Sequence, residues 1–418
     1  MEFAEHYDVI VIGSGPGGSV CSTYLAQSGK KVLCLEKSKF PRFHIGESLT
    51  GSAGQIIKEL GLVEDMNRLD FPQKPGVTVI GNNANSEFFV PVLNPTWQVR
   101  RSDFDDLLYK RASQSGVIQR TGIATDVIKD GEKIVGLTYR HDGQTINAKA
   151  TVVVDASGQG AFLSKKKIAG ERKIDSFSRQ IAFYTHYENV ERDPGAFSKN
   201  TSIFYSDVLH WAWIIPISST VDSLGIVIPV EVFREKCKTP EAALQWGLDS
   251  INPELTRRFA NAKQVENVRA MADYSYRIEP YVGDGWLCIG DAHRFLDPIF
   301  SFGVSFAMLE GRKSAQAICQ VLEGEHWQSP FYEFRDWSDT GQDIACDLIQ
   351  YFWKYPVFFG YQMQNTVLRR EVIRLFGGEC FEPQSMTAPA IFRKGLMEDA
   401  KPAETVESSP NEREVAMI

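Results

Sequence analysis

The chain has 418 residues, with 45 Lys and Arg against 53 Asp and Glu, for a net charge of −8. That acidic balance excludes the basic footprint of a nucleic-acid binder, and no apolar run approaches the roughly 18 residues needed to cross a bilayer. Hydrophobic residues at 43% and charged residues at 23% are those of a globular protein long enough for one large α/β body with insertions.

The opening predicts strand, glycine turn, helix, strand. Asp8-Val-Ile-Val-Ile12 is a short apolar run suited to a buried parallel strand. Gly13-Ser-Gly15-Pro-Gly-Gly18 follows, then a helical stretch to about Ser28 and a second strand, Lys31-Val-Leu-Cys-Leu-Glu36. Strand before, helix after and an acid about 20 residues on complete the context of a dinucleotide fingerprint. Gly13, Gly15 and Gly18 let the backbone approach a pyrophosphate at a helix N-terminus, and Glu36 is placed to hold an adenosine ribose hydroxyl. No signal peptide is expected before this strand. The seven cysteines show no CxxC pair or metal spacing, so reduced thiols, no metal and a cytoplasmic location are expected.

Further along, segments at about 71–100 and 180–275 alternate like strands and predict a sheet inserted into the nucleotide-binding body. Val154-Asp155-Ala-Ser157-Gly158 closes one strand with a polar turn. Cys288-Ile-Gly290-Asp291-Ala292 closes another, and Pro298, Gly303 and a helical run to about Leu322 follow it. From about Gln328 to Phe376 aromatic-rich helical patterns take over. The last stretch, Glu398 to Ile418, carries six acids against Lys401 and Arg413 with no aromatic residue, the composition of a disordered tail. The predicted organisation is a body at 1–325 interrupted by the sheet, a helical region at 326–395 and an acidic tail at 396–418.

These turns, with Val99-Arg-Arg101-Ser-Asp-Phe104-Asp105, resemble the FAD flavoproteins that include aromatic hydroxylases, geranylgeranyl reductases and flavin-dependent halogenases. The resemblance implies a Rossmann-like FAD-binding domain with an inserted antiparallel sheet and a helical C-terminal region. It also implies that Arg101, Asp155 and Asp291 help hold FAD. Two stretches narrow the match. Trp211-Ala-Trp213-Ile-Ile-Pro216 resembles the WxWxIP motif of flavin-dependent halogenases, and Phe71-Pro-Gln-Lys74-Pro-Gly76 the FxxKxG stretch that carries their catalytic lysine. Alone, a WxW is a sheet-core pair and a lysine a solvated cation; their joint occurrence in order, after Gly46-Glu-Ser48, carries the resemblance.

The resemblance implies that reduced FAD, supplied by a separate flavin reductase, and oxygen turn halide into hypohalous acid. Lys74 then directs the oxidant to an electron-rich aromatic. Trp211, Trp213 and Pro216 form the partition between flavin and substrate, and the N–H groups of Phe302 and Gly303 hold the halide. Tryptophan halogenases carry a glutamate where this chain has Phe300, which favours the branch acting on phenols or pyrroles, free or tethered to a carrier protein. His293 and Arg294 depart from the small apolar residues expected after the Gly-Asp-Ala turn. Competing readings are a flavin monooxygenase or ene-reductase on the same fold, or a flavin-binding interaction protein without turnover.

Overall fold

The computed structural model describes residues 4–81, 87–175, 179–272, 275–356, 359–360 and 365–398. Its first sheet is built outward from the strand Glu5–Ile12, which pairs in parallel with Val32–Glu36 on one side and Gln144–Asp155 on the other. Val9, Ile10 and Val11 are fully buried, sharing one core with Cys21 and Leu25 of the following helix and with Ile134, Leu137 and Tyr139, and a parallel strand so enclosed can be apolar throughout. Ile118–Thr121 and Trp286–Cys288 extend the parallel set, while Ile123–Asp130 and Lys133–His141 form an antiparallel flap on Gln144–Asp155. The helix Pro16–Gln27 leaves the first strand through the glycine turn and packs on the long helix Phe302–Leu322. Both helices therefore start at the same edge of the sheet.

The second sheet runs Lys263–Gln264, Gln180–Glu188, Val221–Pro229, His210–Pro216, Thr201–Asp207, Gly76–Ile80, Glu87–Pro91, with Arg269–Ala272 on Gln180–Glu188. The two strand-like segments of the sequence thus join in one sheet, with two departures. Gly76–Ile80 lies parallel to Thr201–Asp207, so the sheet is not antiparallel throughout. Residues 230–258 fold as the helices Val230–Lys236, Pro240–Ser250 and Pro253–Arg258, each begun at or beside a proline that suits a first helical turn. They cover the outer face through Leu244, Leu248 and Leu255. The inner face carries Trp211, Trp213 and Ile215, one residue in two along the strand, and shares its core with Phe71, Trp97, Phe300, Phe352 and Phe376.

The C-terminal helices are Gln328–Lys354, Thr366–Phe376 and Ala388–Glu398, so helical structure continues past 395. The acidic tail from 399 on lies outside the described residues. Among the described residues, no helix is long and apolar enough to cross a membrane.

Candidate active site

A cavity of about 620 Å³ lies where the two sheets meet. Gly13, Gly15, Glu36, Arg101, Trp211, Trp213, Asp291 and Gly303 all line it. The turn at its head fits a dinucleotide. Gly13 has φ of +102°, and a Cβ there would sit 2.4 Å from the Ala156 carbonyl oxygen. A Cβ on Gly18 would sit 1.9 Å from the Gly13 carbonyl oxygen, so this glycine packs the helix on the turn instead of facing the cavity. Gly15 caps the helix without a side-chain bond, leaving N–H groups open to an anion. Glu36 accepts the N–H of Ser14 at 3.0 Å and of Ser38 at 3.0 Å, one on each oxygen, which fixes the carboxylate and leaves it able to accept a ribose hydroxyl.

Arg101 reaches the wall as a tether. Its guanidinium grips Asp105 in a two-pronged pair at 2.7 and 3.0 Å and also donates to the carbonyls of Ile45 and Gly46. Asp291 lines the cavity, and burial pushes its carboxyl up to about 7, with Arg101 pulling the other way and Glu310 adding to the rise. Asp155 departs from the direct cofactor role implied for it. Its carboxylate is fully buried behind the wall and accepts the N–H of Ser157 at 3.0 Å and of Leu163 at 2.7 Å, so it shapes the Ala156–Ser157 turn that does line the cavity.

His293 and Arg294 both turn inward. His293 stacks on Tyr281 with ring centroids 4.0 Å apart and meets Glu310 at 3.0 Å. Burial works to raise the Glu310 carboxyl, but His293, Ser338 and Gln342 together hold it down at about 2. Glu310 also accepts the Gly290 N–H at 2.6 Å, so the helix Phe302–Leu322 grips the Gly290–Ala292 turn. Arg294 pairs with Asp343 at 2.6 Å and lines a second cavity of about 10 Å³, the space of one small ion or water. Phe302, Gly303 and Asp291 line that chamber too. Ser301, with φ of +61°, turns the chain into the helix, whose first N–H groups, Phe302 and Gly303, have no intrahelical acceptor.

Trp211 and Trp213 stand side by side on the cavity wall. Their ring centroids are 5.7 Å apart, and each indole is pinned, Trp211 to Gln180 at 3.3 Å and Trp213 to Ser223 at 3.1 Å. Pro216 ends the strand opposite Asp222 and does not line the cavity.

Lys74 lies beyond the wall, only 4% exposed. Three extended segments place it: Leu49 N–H bonds the Trp97 carbonyl, Val99 N–H the Glu47 carbonyl, and Lys74 N–H the Thr96 carbonyl. Its Nζ donates to Ser48 Oγ at 2.8 Å and to the Leu49 carbonyl at 3.1 Å. Burial alone draws the amine from 10.5 down to about 7. Ser48 lines the cofactor cavity, so this serine stands between the cavity and the lysine. Gln98 and Thr201, which complete the polar chain behind it, carry no sequence signal, since Gln98 forms only an isolated bridge with Ser48 and Thr201 opens its strand inside a polar run, Asn200-Thr-Ser202.

A glycine-turn cavity with a tryptophan wall is the arrangement of a flavoprotein, and residues 6–330 match the family model for the FAD binding domain. The chain belongs to that family. It is 58% identical to a 1H-pyrrole-2-carbonyl-(peptidyl-carrier protein) brominase of Pseudoalteromonas luteoviolacea, over 95% of this chain and 98% of that one. It is 28% identical to the corresponding chlorinase of Pseudomonas fluorescens, over 90% of each. The solved structure of the flavin-dependent brominase Bmp2 superposes with a TM-score of 0.93 at 60% identity, covering 94% of this chain and 99% of that one. Within the FAD-binding proteins the chain is therefore a flavin-dependent halogenase.

Proposed function

We propose that this halogenase installs bromine on a pyrrole-2-carbonyl group carried as a thioester by a peptidyl carrier protein. In this reading reduced FAD comes from a separate flavin reductase, and the enzyme works in a reducing cytoplasm. The carrying observation is Lys74, a buried amine with no carboxylate partner among the described residues, reached from the cofactor cavity through Ser48. The near-full-length relationship to a pyrrole-carrier brominase supports the substrate class.

Gly13, Gly15, Glu36, Arg101 and Asp291 would hold FAD, with Gly18 and Asp155 shaping the turns beside it. When bound, the reduced flavin supplies the two electrons that, with oxygen, convert halide to hypohalous acid. Phe302 and Gly303 offer backbone N–H groups to the halide at a helix N-terminus, in a chamber sized for one ion. Trp211 and Trp213 keep the aromatic substrate off the cofactor. Phe300, Phe352 and Phe376, with Phe300 4.3 Å from Phe376 and 5.3 Å from Phe352 by ring centroids, belong to the apolar core that backs the tryptophan wall. Lys74 as an ammonium donates a proton to the oxidant's oxygen as the carbon–halogen bond forms and water leaves. As an amine it takes the proton from the ring carbon, and a group near 7 can serve in both states.

The test is mass spectrometry of pyrrole-2-carbonyl-loaded carrier protein incubated with the enzyme, FAD, a flavin reductase, NADH and oxygen, with chloride or bromide offered separately. Bromide-dependent gain of bromine supports the proposal. Gain of oxygen alone would assign a monooxygenase instead.

A further inference from the structure

The hydrogen bonds behind Lys74 form a chain whose hydrogens can be counted. Gln98 Nε2 donates to Thr201 Oγ1 at 2.8 Å and to the Lys199 carbonyl at 3.3 Å. A carbonyl only accepts, so Lys199 fixes which end of the Gln98 amide faces Thr201. Thr201 Oγ1 and Ser48 Oγ are 2.8 Å apart, and Lys74 Nζ reaches Ser48 Oγ at 2.8 Å. When Lys74 is an ammonium, it too only donates. The two hydroxyls then receive one hydrogen each from outside, from Gln98 and from Lys74. One of their own two hydrogens fills the bond between them. Among the described residues, the other is left over.

The spare hydrogen resides on Ser48 or on Thr201, depending on the direction of the shared bond, and reversing that bond moves it from one to the other. Both residues line the cofactor cavity, and both are nine-tenths or more buried. A buried hydroxyl with an unused donor is stabilised by any ligand that accepts from it. What passes this wall, on the reading given above, is a small neutral acid whose oxygen has lone pairs to accept that hydrogen.

We propose that Ser48 and Thr201 form a hydrogen-bonding station for hypohalous acid between the cofactor cavity and Lys74. The spare O–H holds the oxidant's oxygen, and Ser48, bonded to Lys74 as well, keeps the next acceptor of the oxidant within reach. No covalent bond is made or broken at the station. Its purpose is retention: an oxidant held by the wall does not diffuse out through the cavity mouth. The proposal rests on Lys74 being the group that receives the oxidant.

The hydrogen count makes an asymmetric forecast. Thr201→Val leaves Ser48 accepting from Lys74 with its own hydrogen spare, so one donor survives. Ser48→Ala with Thr201→Val leaves none. The experiment measures, per reduced flavin consumed, brominated pyrrole-2-carbonyl carrier protein against hypohalous acid caught by a chromogenic scavenger in solution. The double variant is expected to lose about tenfold in bromination with a matching rise in trapped oxidant, and Thr201→Val about two- to threefold, in keeping with one hydrogen bond of modest strength. Flavin affinity by fluorescence quenching and the Lys74 titration by NMR of the methylated lysine report structural damage separately, and both should stay near wild type in Thr201→Val. Wild-type partition in the double variant, or equal leakage from Thr201→Val and the double, overturns the station. Near-wild-type bromination by Lys74→Ala instead overturns the reading on which it rests.

Discussion

Replacing Lys74 by Met should stabilise the protein while abolishing halogenation, and the stabilisation should depend on pH. Burial draws the amine from 10.5 to about 7. At about 1.4 kcal/mol per unit, keeping the charged lysine in place costs on the order of 5 kcal/mol. Because the folded value lies below the unfolded one, the unfolded chain holds more protons between the two. Stability therefore rises with pH across that window: the cost is full below about 7 and gone above 10.5. Methionine fills a similar volume without charge, but it leaves the Leu49 carbonyl and Ser48 hydroxyl without their donor, an offset of about 1–3 kcal/mol. The expected net is a gain of about 2–4 kcal/mol near pH 6 that shrinks steadily and reverses toward pH 10. Denaturant unfolding of both proteins without flavin, followed by tryptophan fluorescence across that range, measures it. A difference between the two that stays constant with pH would show that the amine is not desolvated, and the chemistry assigned to it would fall.

Gly13→Ala places a methyl 2.4 Å from the Ala156 carbonyl oxygen on a backbone with φ of +102°. Fluorescence titration should show flavin affinity reduced about a hundredfold. Gly225→Ala drives a Cβ to within 2.1 Å of the Trp213 ring and displaces the indole. It should raise scavenger-trapped oxidant about tenfold while flavin affinity holds within about threefold, since the wall and not the turn is disturbed. Glu310→Gln leaves His293 and the Gly290 N–H without their anion and should destabilise by about 3 kcal/mol at neutral pH in thermal unfolding. As Glu310 sits at about 2 against an ordinary 4.5, that gap should persist above 4.5 and narrow as pH falls toward 2.

How far the residues announce this site differs along the chain. The glycine turn, Glu36 and the tryptophan strand are readable because local geometry demands them: a positive φ, a close approach, a period of two. The face that Trp211 and Trp213 present follows from that period alone. Lys74 is readable only as a family likeness, since nothing in Phe71-Pro-Gln-Lys74 states that three segments will bury it. Asp155 misleads for a physical reason. An acid at a strand end serves equally to bond a ligand or to cap the following turn, and here it caps. The helices at 230–258 carry their own start signals, Thr239 before Pro240 and Asn252 before Pro253, but they are short and lie between strands of one long strand-like segment. Arg294, beside the ion-sized chamber, pairs with Asp343, a residue 49 positions away that no window of sequence connects to it.

The segments that hold Lys74 have a consequence for the living cell. Ser48 and Thr201 serve the cavity wall and the lysine's surroundings at once, and they are 153 positions apart in the chain. A nascent or partly unfolded molecule that has not joined them has neither a closed flavin chamber nor a lodged amine. On the proposed mechanism, production of a corrosive oxidant and the means of disposing of it thus mature together, and heat or truncation that removes one removes the other. The fold itself acts as the safety catch.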